Sequence, residues 1–403
     1  MARLGLILSA TSYRGPDFVA AAGELGVGLL VATEGTLPLS SGVEGVVAID
    51  CDDPRAAARS VVDAAADLPL DAVLGVDDGG VMVAALVAEA LDLPHNPVGA
   101  VAPTRDKGVM RGFLEASGVP QPRFATAGDP EEAVGAAEGI GYPVVVKPRV
   151  LSASRGVIRA DDPASLRDAF ARSLSIAHEA GAAPPLLVEE FVPGEEVAVE
   201  ALATPAGVEV LAVFDKPDPL VGPYFEETIY VTPSRHPSRV LAGVTRVLEQ
   251  AVAALGLVQG PLHAEFRLTD RGPCVLEVAS RSIGGLCGRS LRFGMLGQSL
   301  ESLLIRAALG MPRRGMGREE AASGVMMIPI PRSGVLREVR GQAAVAEVPG
   351  ITDLEITVPP GREVRALPEG DRYLGFLFAA ADEPASVEAA LREAHGLLEV
   401  VME

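Results

Sequence analysis

The chain has no tryptophan, and aromatic residues make up only 4% of its 403 residues. Side chains that could stack on single-stranded bases are therefore scarce. Basic residues are also in deficit, because 34 lysines and arginines stand against 54 aspartates and glutamates, which gives a formal net charge of −20. A field of this sign repels phosphate backbones and anionic lipids. We therefore expect neither a nucleic-acid-binding protein nor a membrane-surface protein.

Cysteine and long apolar runs are lacking as well. The cysteines Cys51, Cys274 and Cys287 are spaced as neither a disulfide framework nor a zinc site requires. No apolar run approaches the roughly 18 residues of a membrane span, and the apolar run at the N-terminus is too short for a signal peptide. Since 48% of the residues are hydrophobic, the chain has enough apolar material for packed domains. These features favour a cytoplasmic enzyme or binding protein.

Lysine is the rarest charged residue. Among the 34 basic residues, the lysines are Lys107, Lys147 and Lys216. A coding bias toward arginine explains the ratio, but it does not explain why these positions kept an ammonium group, a compact point charge unlike the planar guanidinium. The three lysines are therefore the first candidates for functional residues.

Short apolar runs alternate with helix-like segments over residues 1–100, which predicts a parallel sheet with helices. The predicted strands are 4–8, 28–33, 46–50 and 72–76, and the predicted helices are 17–25 and 56–66. The last strand runs into Asp77 and Asp78, and ligands of open α/β sheets bind at the carboxyl ends of the strands.

Three glycines in this part invite another interpretation. Gly23, Gly26 and Gly28 are spaced somewhat like a dinucleotide-binding motif, but they precede a predicted strand instead of following one. An NAD(P)-dependent oxidoreductase is therefore disfavoured.

The rest of the chain divides into a mixed stretch, a β-rich stretch and a tail. Helices are predicted over 106–116, 130–138, 163–180, 238–255 and 384–398, and strands over 143–147, 186–188, 197–202, 208–214, 263–268 and 274–278. From about 313, a linker rich in glycine and arginine leads to a smaller α+β tail. The apolar runs 324–330 and 373–380 of this tail need partners that so short a segment hardly supplies, so we expect the tail to pack over the active site and not to form an independent module.

The strand 143–147 carries Lys147 at its end, and a segment of small residues, 152–156, follows it. Small side chains let backbone N–H groups approach phosphate oxygens closely, and a lysine adds a point charge. This pattern indicates a phosphate-binding loop. The alternative is a strand followed by an exposed hairpin turn, with Lys147 solvated.

A hinge between two strands forms the second motif. Exposed backbone groups at 189–192 can contact an adenine edge, and Glu196, at the start of the next strand, can accept hydrogen bonds from ribose hydroxyls. The alternative is an acidic surface turn.

Paired glutamates form the third motif. Side-chain alternation in the strands 263–268 and 274–278 makes Glu265 and Glu277 face each other. Two such carboxylates repel each other unless a cation lies between them, and Mg²⁺ that bridges phosphate oxygens is the usual solution. The alternative is a salt bridge with Arg267 or Arg281.

The order of these motifs, a lysine with a glycine loop, a hinge with a glutamate, and paired glutamates before an arginine, resembles the ATP-grasp superfamily. The resemblance is strongest to the carboxylate–amine ligase branch, which includes the L-amino-acid ligases, and it covers most of residues 1–310. It implies an α/β ATP-grasp fold with an N-terminal parallel-sheet domain (1–100), an ATP-grasp domain (101–312) with an ATP lid at about 118–192, and a C-terminal α+β part (313–403).

The resemblance also implies roles for individual residues. Lys107 would be the first nucleotide lysine and Lys147 the second, on the α- and β-phosphates, and Lys147 would also act in catalysis. The other implied ATP contacts are the loop residues Ser152, Ser154, Arg155 and Gly156, the adenine-side residues Glu189, Glu190 and Val192, and the ribose contact Glu196. Glu265 and Glu277 would hold Mg²⁺, for which Mn²⁺ would substitute.

On the substrate side, Arg281 would be the catalytic arginine that stabilises an acyl phosphate and the tetrahedral intermediate. The implied substrate-binding residues are Glu227, Tyr230, Arg281, Gly284 and Gly285, in part from a segment that also contains Lys216. The chain departs from the family pattern twice. Ala279 and Ser280 replace the Asn-Pro that usually precedes the arginine, where the asparagine helps to bind a second Mg²⁺, and Tyr230 replaces a frequent pocket histidine.

The implied activity is ligation: ATP phosphorylates a carboxylate, and an amine attacks the acyl phosphate to give an amide or peptide bond, ADP and phosphate. Small-molecule carboxylates and amines, amino acids above all, would be the partners, and a homodimer is left open. The alternatives are a biotin-carboxylase-like or purine-pathway enzyme of the same superfamily, and an ATP-binding module without turnover. The absence of a biotinyl-lysine motif disfavours the biotin-dependent option.

Overall fold

The computed structural model describes residues 1–9, 12–35 and 42–403. Its N-terminal part begins with a four-stranded sheet in the order β3-β2-β1-β4, in which every pair is parallel. The elements of this part are β1 (Arg3–Leu8), α1 (Gly15–Leu25), β2 (Gly28–Thr33), β3 (Val43–Ala48), α2 (Pro54–Ala65), β4 (Ala72–Gly75), α3 (Gly80–Ala90), α4 (Val98–Arg105) and α5 (Lys107–Ala116). The predicted parallel sheet is confirmed.

Two local features explain the chain path around this sheet. Helix α1 ends at Gly26 in the left-handed conformation (φ 65°), so the glycines near it belong to a helix C-cap and a strand start. Asp77 accepts hydrogen bonds from the N–H groups of Ser9 (2.9 Å) and Gly80 (3.0 Å). It thereby ties the carboxyl ends of β1 and β4 to the start of α3.

A second, antiparallel sheet follows, in the order β5-β8-β6-β7, with two helices packed on it. Its elements are β5 (Phe124–Ala127), α6 (Pro130–Ile140), β6 (Val144–Lys147), β7 (Ile158–Ala160), α7 (Pro163–Glu179) and β8 (Leu186–Glu190). Both helices begin with an aspartate cap, Asp129 or Asp162, followed by proline at the first turn.

The largest sheet has eight antiparallel strands in the order β13-β12-β9-β10-β11-β16-β20-β18. The elements of this part up to its middle are β9 (Glu195–Thr204), β10 (Gly207–Lys216), β11 (Ile229–Thr232), α8 (Ser238–Leu255), β12 (Gly260–Thr269), β13 (Gly272–Ala279), a 3-10 turn (Cys287–Ser290), β14 (Arg292–Phe293), β15 (Gln298–Ser299) and α9 (Leu300–Ala308). The remaining elements are β16 (Ala322–Ile328), β17 (Gly334–Arg340), α10 (Gln342–Val345), β18 (Ile351–Ile356), β19 (Glu363–Val364), β20 (Gly375–Ala381), α11 (Pro384–Gly396) and β21 (Glu399–Met402).

The tail therefore contributes three strands to the same sheet as the middle of the chain. β16 pairs with β11 over four residues and with β20 over seven, while β19, β17 and β21 form a small sheet beside it. Phe376 and Phe378 of β20 share one apolar cluster with Phe18 of α1. The tail packs on the rest of the protein, as its apolar runs predicted, whereas the domain boundaries at 100 and 312 stay predictions.

The predicted helices are present, with ends within two residues of the predicted ones. Helices α3, α4, α9 and the short α10 were not predicted. In α3 most residues are buried, so the amphipathic period is missing, and α4 contains Pro103, which usually marks a helix start or break. In the described part of the chain, no helix is long and apolar enough to cross a membrane.

We expect a chain that ends at Arg313 to be insoluble or to lack its native fold, because it exposes the edge of β11 and removes Phe376 and Phe378 from the shared cluster. Soluble yield and far-ultraviolet circular dichroism are the measurements. The control is a chain that lacks only the residues from Glu399 onward. It loses the edge strand β21 and should stay soluble. A soluble 1–313 chain with a native circular dichroism spectrum would contradict the expectation.

Candidate active site

A cavity of about 610 Å³ lies where the three sheets meet. The structure describes every site residue predicted from the sequence. Two of them, Arg155 and Gly156, do not line this cavity. The predicted residues that line it are Lys107, Lys147, Ser152, Ser154, Glu189, Glu190, Val192, Glu196, Glu227, Tyr230, Glu265, Glu277, Arg281, Gly284 and Gly285. The structure thus brings together at one site residues that lie more than 170 positions apart in the chain.

The small-residue loop has an unusual backbone. Ala153 and Ser154 both have positive φ (55° and 54°), which is rare and costly for residues other than glycine. At Gly156 (φ 73°) an ideal Cβ would lie 2.9 Å from the Pro148 ring, so glycine is required there. Its N–H donates to the carbonyl of Pro368 (2.8 Å), so Gly156 anchors the loop to the tail.

Lys147 belongs to a buried charge triad. Its Nζ lies 2.6 Å from Glu189 Oε2, and Arg111 Nε donates to Glu189 Oε1 at 2.6 Å. Burial alone would raise the pKa of Glu189, but Arg111 and Lys147 outweigh it and lower this pKa to about 2. The Glu189 carboxylate therefore holds Lys147, which leaves the backbone of 189–192 as the part of the hinge that could contact adenine. Arg111, in the middle of a helix, was not predicted.

Lys216 is surrounded by three carboxylates. Its Nζ lies 2.6 Å from Glu196, 2.5 Å from Glu227 and 3.4 Å from Glu265. Burial lowers its pKa, but the three carboxylates outweigh burial and raise the pKa well above the usual value. These oxygens are close enough together for a metal ion, but the Lys216 ammonium already lies among them and supplies one positive charge to the three carboxylates. Glu196 also pairs with Arg267 (2.9 Å).

The predicted glutamate pair is confirmed as a cross-strand pair. Glu265 on β12 stands directly opposite Glu277 on β13, beside a β-bulge. Among the described ion pairs, Glu277 meets Lys107 (3.2 Å) and Glu265 meets Lys216, so the alternative of a salt bridge with Arg267 or Arg281 is not what forms. Both side chains are partly exposed to the cavity (21% and 31%), and carboxylate oxygens suit Mg²⁺.

Arg281 is oriented from the N-terminal part. Its Nε and Nη2 donate to the two carboxylate oxygens of Asp78, at 3.0 and 2.9 Å. The sequence placed Asp78 at a strand end where ligands bind but gave it no role. Gly285, four residues after Arg281, has φ 58°, and an ideal Cβ there would lie 2.8 Å from the Phe376 ring. The 280–285 segment, which we call the arginine loop, is thus packed between the N-terminal part and the tail.

Several cavity residues were missed by sequence reasoning. They come from loops far from the motifs: Ser12, Tyr13 and Arg14 near the N-terminus, and Arg362, Asp371, Arg372 and Tyr373 in the tail. Tyr373 donates to Glu227 (3.5 Å). No periodicity or motif marks these residues, since only the tertiary fold brings them to the cavity.

His263 was missed as well, although it lies two residues before Glu265. Burial would lower its pKa, but hydrogen bonds to Glu200 and Glu265 outweigh burial and raise it to about 9. The signal available in the sequence was period-2 alternation on β12, which places His263 and Glu265 on one face.

Buried lysines, a small-residue loop and facing carboxylates around one cavity define an enzyme that handles a nucleoside triphosphate. Three family models match the chain in order. They describe the ATP-grasp N-terminal domain (residues 19–95), the ATP-grasp domain (residues 140–290) and L-amino acid ligase C-terminal domain 2 (residues 326–403).

Individual proteins agree with these models. A D-alanine–D-alanine ligase of Methylibium petroleiphilum is 30% identical over 245 residues, which covers 58% of this chain and 70% of that protein. The uncharacterized protein y4rH of Sinorhizobium fredii is 28% identical over 297 residues, 72% of this chain, and the chain spans only 59% of that relative's length. The crystal structure of L-amino acid ligase from Bacillus licheniformis has a TM-score of 0.83 and 26% identity, covering 100% of this chain and 99% of that one. The chain belongs to the ATP-grasp superfamily, in its carboxylate–amine ligase branch.

Replacing Lys147 by methionine keeps the aliphatic stem and removes the charge. We expect kcat/KM for ATP to fall at least about 100-fold, as when one transition-state donor is removed. The melting temperature should also fall, because Glu189 keeps only Arg111 as a buried partner. The control is Arg167→Met, which removes an exposed ion pair with Glu131 from the same subdomain. Normal kinetics in Lys147→Met would remove the phosphate-loop assignment.

Glu277→Gln should raise the Mg²⁺ concentration needed for half-maximal activity by about tenfold or more, because a charged oxygen ligand is lost. A magnesium titration of the initial rate measures this. Glu209→Gln, which breaks an ion pair with Arg313 on the surface, should leave the titration unchanged. If both variants titrate like the unmodified protein, the glutamate pair is structural.

Proposed function

We propose that this chain is an ATP-dependent carboxylate–amine ligase that joins two amino acids, or an amino acid and a related amine, through an acyl phosphate. The observation that carries the proposal is that both nucleotide lysines, the facing glutamates and the arginine loop line one cavity. The similarity to D-alanine–D-alanine ligase and L-amino acid ligase supports amino acids as the substrate class.

In the proposed reaction, Lys107 and Lys147 bind phosphate oxygens and offset their charge. Glu265 and Glu277 would hold Mg²⁺, or Mn²⁺ in its place, and the bound ion supplies charge neutralisation on the transferred phosphoryl group. The substrate carboxylate oxygen bonds to the γ-phosphorus while the bond to ADP breaks. Arg281, held by Asp78, faces the developing charge.

In the second step the amine nitrogen attacks the acyl carbon. The C–N bond forms, the C–O bond to phosphate breaks, and the amine loses one proton as inorganic phosphate leaves. The cavity residues hold the carboxylate and the amine in contact, which replaces a bimolecular encounter by a positioned reaction. Gly284 and Gly285 lie at this end of the cavity, beside Arg281.

The alternatives find less support. A biotin-carboxylase-like or purine-pathway activity does not account for the match of residues 326–403 to the L-amino acid ligase C-terminal domain. A module without turnover rests on Ala279, which lines the cavity where the family usually has asparagine. Magnesium-dependent ATPase activity that amino acids stimulate separates it from an active ligase. The cytoplasmic location and the homodimer stay predictions.

The test is the product pair. With a productive pair of amino acids, found by screening for ADP release, ADP and inorganic phosphate should form in equal amounts, because the proposed first step transfers the γ-phosphoryl group and leaves ADP. Label from an ¹⁸O-carboxylate should appear in the phosphate, and omission of the amine is the control that leaves amide formation at zero. AMP and pyrophosphate as products would overturn the acyl-phosphate route.

A further inference from the structure

Glu200 is a buried carboxylate that the proposed reaction does not use. It lies on β9, between the residues that handle ATP and the arginine loop, and its exposed fraction is 0%. A charge so completely removed from water costs several kcal/mol unless each oxygen finds a partner. Each of its two oxygens has a hydrogen-bond partner, and the two partners lie in different parts of the site.

One oxygen of Glu200 fixes His263. Glu200 and His263 are direct cross-strand partners of β9 and β12, and Glu200 Oε1 lies 2.5 Å from His263 Nδ1. The other ring nitrogen, Nε2, faces Glu265 Oε1 at 3.4 Å. The imidazole is buried and thus held in one orientation between a structural carboxylate and a proposed metal ligand. A carboxylate that binds one ring nitrogen of a histidine fixes the orientation of the ring, and with it the contact that the other ring nitrogen makes.

The other oxygen of Glu200 holds the arginine loop. Glu200 Oε2 accepts a hydrogen bond from the N–H of Ile283 (3.0 Å). The carbonyl of the same residue accepts from Arg14 Nη1 (2.9 Å), and Arg14 Nη1 also donates to Ser282 Oγ (2.5 Å). Both main-chain groups of Ile283 are therefore bound by buried charged side chains, two residues after Arg281.

We propose that Glu200 is a positioning residue that couples the metal end of the site to the substrate end, acting on Glu265 through His263 and on Arg281 through Ile283. The inference rests on the proposed function, because it takes Glu265 as a metal ligand. A carboxylate that only compensated a buried histidine would not need its second oxygen on the arginine loop. The Glu200 side chain therefore contacts both the metal end and the substrate end of the site.

The test substitutes Glu200→Gln, which keeps the volume but has one acceptor oxygen for two donors. Mn²⁺ binding to the full-length protein saturated with ADP is measured by isothermal titration calorimetry, without carboxylate or amine. We expect the affinity for Mn²⁺ to fall about 10- to 100-fold. Glu388→Gln, a partly buried carboxylate on α11 that pairs with Arg235 and Arg392, is the matched control and should bind Mn²⁺ normally.

A second variant, His263→Gln, separates a positioning effect from general damage. If Glu200 acts on the metal through His263, the double variant should bind Mn²⁺ no more weakly than the worse single variant. Glu200→Asp, which keeps both acceptors, should recover part of the affinity. In steady-state assays at saturating Mg²⁺, Glu200→Gln should raise KM for the carboxylate more than it lowers kcat, through the displaced arginine loop.

The outcomes are distinct. Unchanged Mn²⁺ affinity in folded Glu200→Gln overturns the inference and leaves the proposed ligase function standing, as do fully additive losses in the double variant. If the unmodified protein binds Mn²⁺ with ADP but forms no amide from any pair of amino acids, the proposed function fails while the metal measurement still decides the role of Glu200. Should Glu200→Gln not fold, Glu200→Asp and His263→Gln carry the same comparison.

Discussion

The site depends on one constraint: ammonium groups must be held in a partly dry cavity inside a chain of net charge −20. Each lysine meets this constraint with a carboxylate partner in the site. Lys147 pairs with Glu189, Lys107 with Glu277, and Lys216 with three glutamates. Burying a charge beside a hydrogen-bonded counter-charge is tolerable, whereas burying it alone is not. The three lysine ammonium groups therefore lie in or beside one site, each with at least one carboxylate partner.

The lysine–glutamate pairs differ in how firmly each lysine is held by its partner. Glu189 is 3% exposed and shared by Arg111, so Lys147 is held as a fixed part of the wall. Glu277 is more open, with 31% of its side chain exposed compared with 4% for Glu189, and in the described ion pairs neither Lys107 nor Glu277 has a further partner. In the proposed reaction Lys107 would bind a phosphate oxygen and Glu277 would help to hold the metal ion, so each group would exchange its present partner for a new one. That exchange keeps the local charge balanced when a nucleotide enters.

Much of this could be predicted from the sequence, because it is local. Period-2 alternation is enough to make Glu265 face Glu277, and a lysine at the end of a buried strand before small residues is readable as a phosphate loop. The contacts of Asp78, Arg14 and Glu200 could not be predicted this way, since each acts on residues far away in the chain: Asp78 on Arg281, Arg14 on Ile283, and Glu200 on both His263 and Ile283. The prediction of Glu189 as an ATP contact stays a prediction. The motif placed Glu189 in the cavity, and its side chain is held by Arg111 and Lys147, which leaves its backbone for adenine.

The tail is bound strongly to the large sheet and weakly to helix α7. Its strands are paired in the large sheet, whereas its ion pairs with α7 are exposed, Arg172 with Glu369 and Arg365 with Glu179. Solvent screens such pairs, so they contribute little to stability. The backbone bond from Gly156 to Pro368 adds a single neutral hydrogen bond of about 1 kcal/mol. The tail therefore holds this side of the cavity, including the loop with two strained residues, by a few weak contacts. Lys147 and Glu200 are by contrast held by buried charged contacts, so the part of the site assigned to the proposed chemistry is fixed more firmly than its rim.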